Sequence, residues 1–416
     1  MPHRWTRFFA TLTESQHYLI YSGLFAAAFG TILPLFAIYF RQAGLTLFQI
    51  ALLAFVFEGT ILLCELPTGV IADLKGRVRT LRLAAALLTL AGLLFIIARD
   101  LTWFVVAEII CGIGEAFRSG SAEAWISTRL QEDGRGEEVT QLFAQRMKYN
   151  FAAAFVAMLL GGVVAQLYLA AGWVLFVVLT LAGFLFSLMM KENSGVTSAE
   201  SVHTQSFRKH LRSGLRAIYG SAPLTATLFL LLAGNAAYEG VDQFWQIYAS
   251  ESRQIAALWF GIATALTALI LFFSADRLVP RLRQRYGFKL SVTMLALAAA
   301  AFLSLFALVG GTVAVLACFV LFSVVRNLQE PLITGFISEN SPSQTRATVL
   351  STNNLVSSAG EMIAALGLGW LAGALGLRPV FLIAVLLLFA GWLVFYNLFS
   401  RNPRPEPDQD TKLLQT

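Results

Sequence analysis

Apolar stretches of about 20 residues follow one another along almost the whole chain, each long enough to cross roughly 30 Å of hydrocarbon as a helix. No other feature restricts the fold so strongly. Composition agrees: 57% of the 416 residues are hydrophobic and 13% are charged, against about 25% charged in an ordinary soluble domain. Mean hydropathy is +0.70. The chain reads as an all-α, polytopic membrane protein.

Twelve spans can be marked, at 17–40, 46–71, 82–98, 101–127, 142–167, 171–190, 223–248, 254–275, 289–309, 312–338, 345–371 and 377–399. The only long polar interruption, 191–222, divides them six and six. The expected organisation is therefore a six-helix bundle at 1–190, a linker at 191–222, a second bundle at 223–400 and a tail at 401–416. The N-terminus shows no short signal-like apolar core with a cleavage site, and its first apolar run continues as a helix.

A net charge of +6 raises the question of nucleic acid, but the cations form no single patch. They collect in alternate short loops: Arg4 and Arg7, then Lys75, Arg77, Arg79 and Arg82, then Arg129 and Arg135. The linker adds Lys191, Arg208, Lys209, Arg212 and Arg216; the next loop adds Arg277, Arg281, Arg283, Arg285 and Lys289; the tail adds Arg401, Arg404 and Lys412. The opposite loops hold Arg41, Arg99, Arg253 and Arg378. The positive-inside rule then places both termini and the linker in the cytoplasm, with a bacterial inner membrane as the setting. Cys64, Cys111 and Cys318 lie within apolar runs and read as small buried hydrophobes. No metal-ligand spacing is present.

The halves look related. "KGRVRTL" leads into the third span and "YGFKLSV" into the ninth, with Gly287 lying 211 residues after Gly76. "GIGEAFRSGSAEAWIS", from Gly112, aligns at the same offset with "SVVRNLQEPLITGFIS", from Ser323. Two anchors at one offset point to parallel duplication of a six-helix unit, a design that transporters use.

After the second span, "GVIADLKGR" carries G-x-x-x-D-x-x-G-R at Gly69, Asp73, Gly76 and Arg77, with Ala72 and Leu81 also in pattern. A glycine at position 69 lets helix backbones approach closely. Asp73 at a membrane edge suits a helix N-terminus or a cation, and Arg77 can form a forked pair with an acid. Together with twelve spans in two halves, this motif resembles the major facilitator superfamily. The resemblance implies an alternating-access carrier in which these residues latch the halves on the cytoplasmic side, with Glu123 as candidate partner of Arg77. A loop that only sets topology would need the cations but neither Gly69 nor Asp73. Two departures stand out: the family's usual cations are replaced by Leu74 and Val78, while Lys75 and Arg79 keep the loop basic.

Ionisable groups at membrane depth cost about 2.5–3.5 kcal/mol or more unless paired or solvated. The fourth span carries Glu108, Glu115 and Arg118, readable as a cavity-facing proton or cation site or as a locally neutralised cluster. Aligned on Gly112, Glu108 takes the position where similar proton antiporters have the arginine of R-x-x-x-G. The fifth span has Gly161 and Gly162 but lacks the antiporters' Gly-Pro signature. Arg326, at the repeat position of Glu115, either faces that acid across a cavity or pairs with Glu330 on its own helix. Asn235, Tyr238, Glu239 and Asp242 lie too deep in the seventh span for an interfacial belt and read as substrate or ion contacts. Asn353, Asn354, Ser357 and Glu361 make a polar face in the eleventh.

The four histidines lie at or outside membrane edges, so any proton coupling falls to carboxylates. No Walker A, H-E-x-x-H or nucleophile-elbow motif is present, so neither an enzyme nor a cofactor is expected. The expected function is secondary transport of a small organic solute, cationic or zwitterionic, by a monomer. Proton-coupled efflux leads; nutrient uptake, lipid flipping and a non-transporting sensor or scaffold are the alternatives.

Overall fold

A computed structural model describes residues 12–192, 207–341 and 346–401, and among them every regular element is helical. Arg4, Arg7, His3, His203, Arg404, Lys412, most of the first half of the linker and nearly all of the tail lie outside the described residues. In chain order the helices are α1 (Glu14–Ile32), α2 (Phe36–Gln42), α3 (Leu47–Lys75), α4 (Arg77–Ile97), α5 (Leu101–Glu132) and α6 (Val139–Val164). They continue with α7 (Ala171–Ser187), α8 (Phe207–Tyr219), α9 (Ala222–Ile247), α10 (Ala257–Leu308), α11 (Thr312–Asn340), α12 (Arg346–Leu375) and α13 (Leu377–Arg401).

Among the described residues, nine helices are long and apolar enough to cross a membrane, or ten if the bent pair α1–α2 counts as one span. Two of the predicted spans stand outside that count for different reasons. Helix α5 is 32 residues long but carries Glu108, Glu115, Arg118 and Glu123, whereas α7 is apolar but 17 residues long.

Helix ends follow local chemistry. Thr13 and Gln16 form a reciprocal capping box at α1, and Thr46 and Gln49 form another at α3. The Asp100 carboxylate accepts from the Trp103 N–H at 3.2 Å and starts α5. Pro34 falls in the break between α1 and α2, where its missing N–H and its ring prevent a continuous helix, and the two segments meet at 45°. Gly76 and Gly287 both adopt positive φ, 99° and 71°, a conformation that only glycine takes without strain. Gly76 ends α3. Gly287 is a break within α10, which otherwise runs unbroken through the predicted loop at 276–288. The linker also contains structure that the sequence reading left out, helix α8, which packs on α12 with Gly214 against Thr352.

The absent side chain at Gly76 makes room for Glu192. Its carboxylate accepts from the Val78 and Arg79 N–H groups at 3.1 and 3.2 Å and caps α4, while a Cβ on Gly76 would lie 2.6 Å from it. Arg82 donates to the Ser187 and Met190 carbonyls at the end of α7. The loop motif and the first linker residues are thus fastened together.

Within the helices before the linker, α1 packs on α6 and α7, and α5 on α3 and α4; after it, α9 packs on α12 and α13, and α10 on α11 and α13. Pairings that cross the divide include α3 with α12, α6 with α10, and α2 and α3 with α9. Small residues set these distances. Gly162 and Gly261 bring α6 and α10 together, and a Cβ on Gly261 would lie 2.5 Å from the Met158 carbonyl oxygen. Gly369 meets Ala51 on α3. Gly161 abuts the Thr31 backbone on α1, where a Cβ would collide with the carbonyl oxygen. Gly161→Ala is therefore expected to destabilise the fold by about 1–3 kcal/mol, read as a lower melting temperature of the purified protein. Gly120→Ala, facing open space, should leave it unchanged or raise it slightly.

Candidate functional site

Two cavities adjoin at the middle of the molecule, sharing Glu239 and Asp242 in their walls. The larger, about 600 Å³, is lined mainly by apolar and aromatic side chains, among them Phe29, Phe36, Phe57, Phe95, Phe151 and Trp173. Into this greasy chamber project Glu58 from α3, Glu108 from α5, and Arg146 and Asn150 from α6. The smaller, about 290 Å³, is polar and is built from α9, α11 and α12; it contains Asn235, Tyr238, Arg326, Gln329, Glu330 and Glu361. Asn353, Asn354 and Ser357 complete its α12 wall.

The cations at this depth already have acids. Arg326 makes a forked pair with Asp242, at 2.8 and 2.7 Å, and lies over the Tyr238 ring at 5.2 Å. The sequence left Arg326 between Glu115 and Glu330; the structure gives it to neither, because α9 presents Asp242 directly across from α11. Glu115 and Arg118 form a forked pair on α5 itself, and neither lines either cavity. Arg146 pairs with Glu123. The expected Glu123–Arg77 contact is thereby replaced: Arg77 donates to the Ala124 carbonyl at 2.6 Å, to the Thr128 hydroxyl and to Asp73 at 3.1 Å.

Of the expected substrate-site residues, the structure brings Glu108 to the apolar chamber and Asn235, Tyr238, Arg326, Glu330, Asn354 and Glu361 to the polar one, with Glu239 and Asp242 at the junction. Among the described residues, the polar contacts of the expected latch residues Asp73 and Arg77 are with each other and with α5, not with a helix after the linker. A Cβ on Gly69 would meet nothing within 4 Å, so no described backbone approaches there, and the Asp73 side chain is 48% exposed.

Sequence reasoning passed over Glu58, Arg146 and Asn150. The signal for Glu58 was available: with Glu65, seven residues further on, it is one of two carboxylates inside the apolar run 46–71. Arg146 and Asn150 sit near the polar end of α6, where their residue types blend into a loop boundary. No group of metal-ligating side chains occurs among the described residues.

The Major Facilitator Superfamily sequence model matches residues 18–365, with a second match at 281–414. The chain belongs to the Major Facilitator Superfamily. It is a multi-pass membrane protein of a transporter family. A relative from Bacillus subtilis (strain 168), the uncharacterized MFS-type transporter YxaM, is 23% identical over 397 residues, covering 92% of this chain and 94% of that one. Among solved structures, the nucleoside transporter NupG superposes with a TM-score of 0.78 at 14% identity, covering 93% of this chain and 99% of that one. A bacterial homologue of the human lysosomal transporter Spinster, inward-facing and unoccupied, gives 0.72 at 14% identity, with coverages of 94% and 98%. At these identities the two structures speak for the fold alone.

In this superfamily member an amide ties the two sides of the linker together near Arg41. Gln246 on α9, 3% exposed, donates from Nε2 to the Leu33 carbonyl at 2.8 Å and accepts at Oε1 from the Ala37 N–H at 3.1 Å. These are backbone groups that the α1–α2 break leaves without intrahelical partners, so one side chain from beyond the linker repairs the break. Beside it, Arg41 and Glu251 pair at 2.6 Å in a partly exposed position. Stranding two buried backbone groups costs about 1–3 kcal/mol each, whereas an exposed ion pair contributes about 0–1 kcal/mol. Gln246→Leu should therefore raise the population open at this end by roughly tenfold or more, while Arg41→Ala changes it little. Distances between spin labels on the α2 and α9 ends in reconstituted protein report both.

Proposed function

We propose that this chain is a secondary carrier that moves a small organic solute, cationic or zwitterionic, across the bacterial inner membrane by alternating access, driven by protons. One observation carries the reading: Glu58, Glu108, Glu239, Glu330 and Glu361 line cavities within the membrane-spanning helices without an ion-pair partner among the described residues, while Arg118, Arg146 and Arg326 are each held by another acid. Five uncompensated carboxyl groups at that depth are costly unless protons or a cationic solute neutralise them. Walls of one sign also draw cations into the site.

In this reading α5 and α7 complete a set of twelve spans, arranged as bundles before and after the linker, with both termini and the linker cytoplasmic. The closed end, at Gln246 and Arg41–Glu251, is periplasmic. The cavity opens to the cytoplasm, where the latch of Asp73 and Arg77 is disengaged. The two cavities form the substrate site, at the interface where transporters of this design bind their cargo. Efflux is the proposed direction, because an aromatic chamber suits solutes that also partition into lipid.

The test is solute flux into proteoliposomes under an imposed pH gradient, over a chemically broad panel. Gradient-dependent movement of organic cations or zwitterions is the expected result. An absence of flux across the panel, together with a stable protein partner, would sink the carrier reading in favour of a sensor or scaffold. With a transported solute in hand, Asp73→Asn should slow turnover severalfold and leave binding unchanged. Glu239→Gln and Asp242→Asn should each weaken binding by about tenfold, equivalent to roughly 1.4 kcal/mol.

A further inference from the structure

The linker helix α8 carries a charge that no described part of the protein answers. Its sequence, FRKHLRSGLRAIY, holds four lysines and arginines and no acid. Arg212 and Arg216, one turn apart, are both exposed and make no ion pair or side-chain hydrogen bond among the described residues. Like charges at i and i+4 repel on a helix surface, so the pair favours an anion from outside the chain. Tyr219, three residues after Arg216, is 59% exposed.

Another face of the same helix is committed to the protein. Ile218 is 1% exposed, and Gly214 is buried where a Cβ would collide with the Thr352 side chain of α12. These contacts fix the height of α8. Thr352 lies near the start of the apolar stretch Thr348–Leu375, and the stretch that includes α9 begins at Ala222, just after α8 ends at Tyr219. The Thr225 hydroxyl of α9 donates to the Ile218 carbonyl at 2.9 Å and ties that corner. Helix α8 is therefore fastened at the level where α9 and α12 become apolar enough to enter hydrocarbon, with two arginines and a tyrosine left outside the packing. A basic amphipathic helix at this level is suited to an anionic lipid surface. Guanidinium forks match phosphate oxygens, and tyrosine is enriched at the headgroup layer.

We propose that α8 is a binding site for anionic phospholipid, with Arg212 and Arg216 holding headgroup phosphates at the membrane surface. The chain has another acidic candidate in Glu406, Asp408 and Asp410, but Arg404 and Lys412 share that segment and offset most of its charge. The site stands apart from the cavities, and it holds whether or not the chain moves a solute.

Hydrogen exchange of the α8 amides tests this in the full-length protein, reconstituted in bilayers of phosphatidylcholine alone or mixed with phosphatidylglycerol. Phosphatidylglycerol should slow exchange across α8 severalfold, and Arg212→Gln with Arg216→Gln should abolish the difference. Arg212→Lys with Arg216→Lys should keep most of it. Arg281 and Arg285 of α10, also exposed and without an ion pair among the described residues, provide the control for general basicity; changing both to Gln should leave the α8 difference in place. Neutralising Glu406, Asp408 and Asp410 together should leave it in place as well. Melting temperatures of all variants in phosphatidylcholine separate lost lipid contact from lost folding. Equal exchange in the two bilayers overturns the proposal, as does a difference that survives in the α8 double variant. Loss of the difference in the α10 control replaces the site with a diffuse surface charge, and its loss in the tail variant makes the tail the occupant; either result overturns the proposal too.

Discussion

A charge within hydrocarbon has to be answered by a partner, by water or by a proton, and this requirement organises the whole interior. Arg118, Arg146 and Arg326 are answered by Glu115, Glu123 and Asp242. Once those pairs are made, none of the three is left for Glu58, Glu108, Glu239, Glu330 or Glu361, and each of these acids lies on a cavity wall. The chambers and the surplus acids therefore explain each other. A close-packed interior could not hold five such groups, and a cavity of this size lined only with aromatic residues would have no means of selecting a polar cargo.

Contact between helices from the two sides of the linker depends on backbone groups as much as on side chains. Glycines 162, 261 and 369 let helices from opposite sides of the linker touch where side chains would hold them apart. The break at Pro34 exposes a carbonyl and an N–H, and Gln246 collects both. The helix break and the seal are one arrangement, since an unbroken α1–α2 would satisfy its own backbone and give Gln246 nothing to hold. Asp73, by contrast, pairs with Arg77 beside it in the chain, and a Cβ on Gly69 would meet nothing within 4 Å.

The helices were legible because apolar run length and loop charge are properties of single stretches of chain. Gly69, Asp73, Gly76 and Arg77 were legible as a motif, and Glu108 as a carboxylate with no local cation. The Glu115–Arg118 pair followed from i, i+3 spacing. Partners across helices were not. Arg326 had an acid at i+4 on its own helix, and only the rotation of α9 against α11 selects Asp242, which is 84 residues away. Glu123 was assigned to Arg77 by depth alone, whereas the register of α5 against α6 gives it to Arg146. Glu58 was passed over although Glu65 follows it by seven residues in the same apolar run, the spacing that also separates Glu108 from Glu115. Helix α8 was hidden in a linker whose composition is that of a loop.

Gly76 and Glu192 have a consequence for how this sequence can change over time. The carboxylate that caps α4 occupies the volume a side chain at position 76 would take, and the same glycine supplies the backbone turn that aims those N–H groups at it. The two positions are therefore a single unit of inheritance. A lineage that replaces Gly76 loses the use of Glu192 at the same step, and one that first loses Glu192 removes part of what keeps Gly76 in place. Substitutions at the two sites should be epistatic, tying the drift of a membrane-edge motif to that of a linker far along the chain.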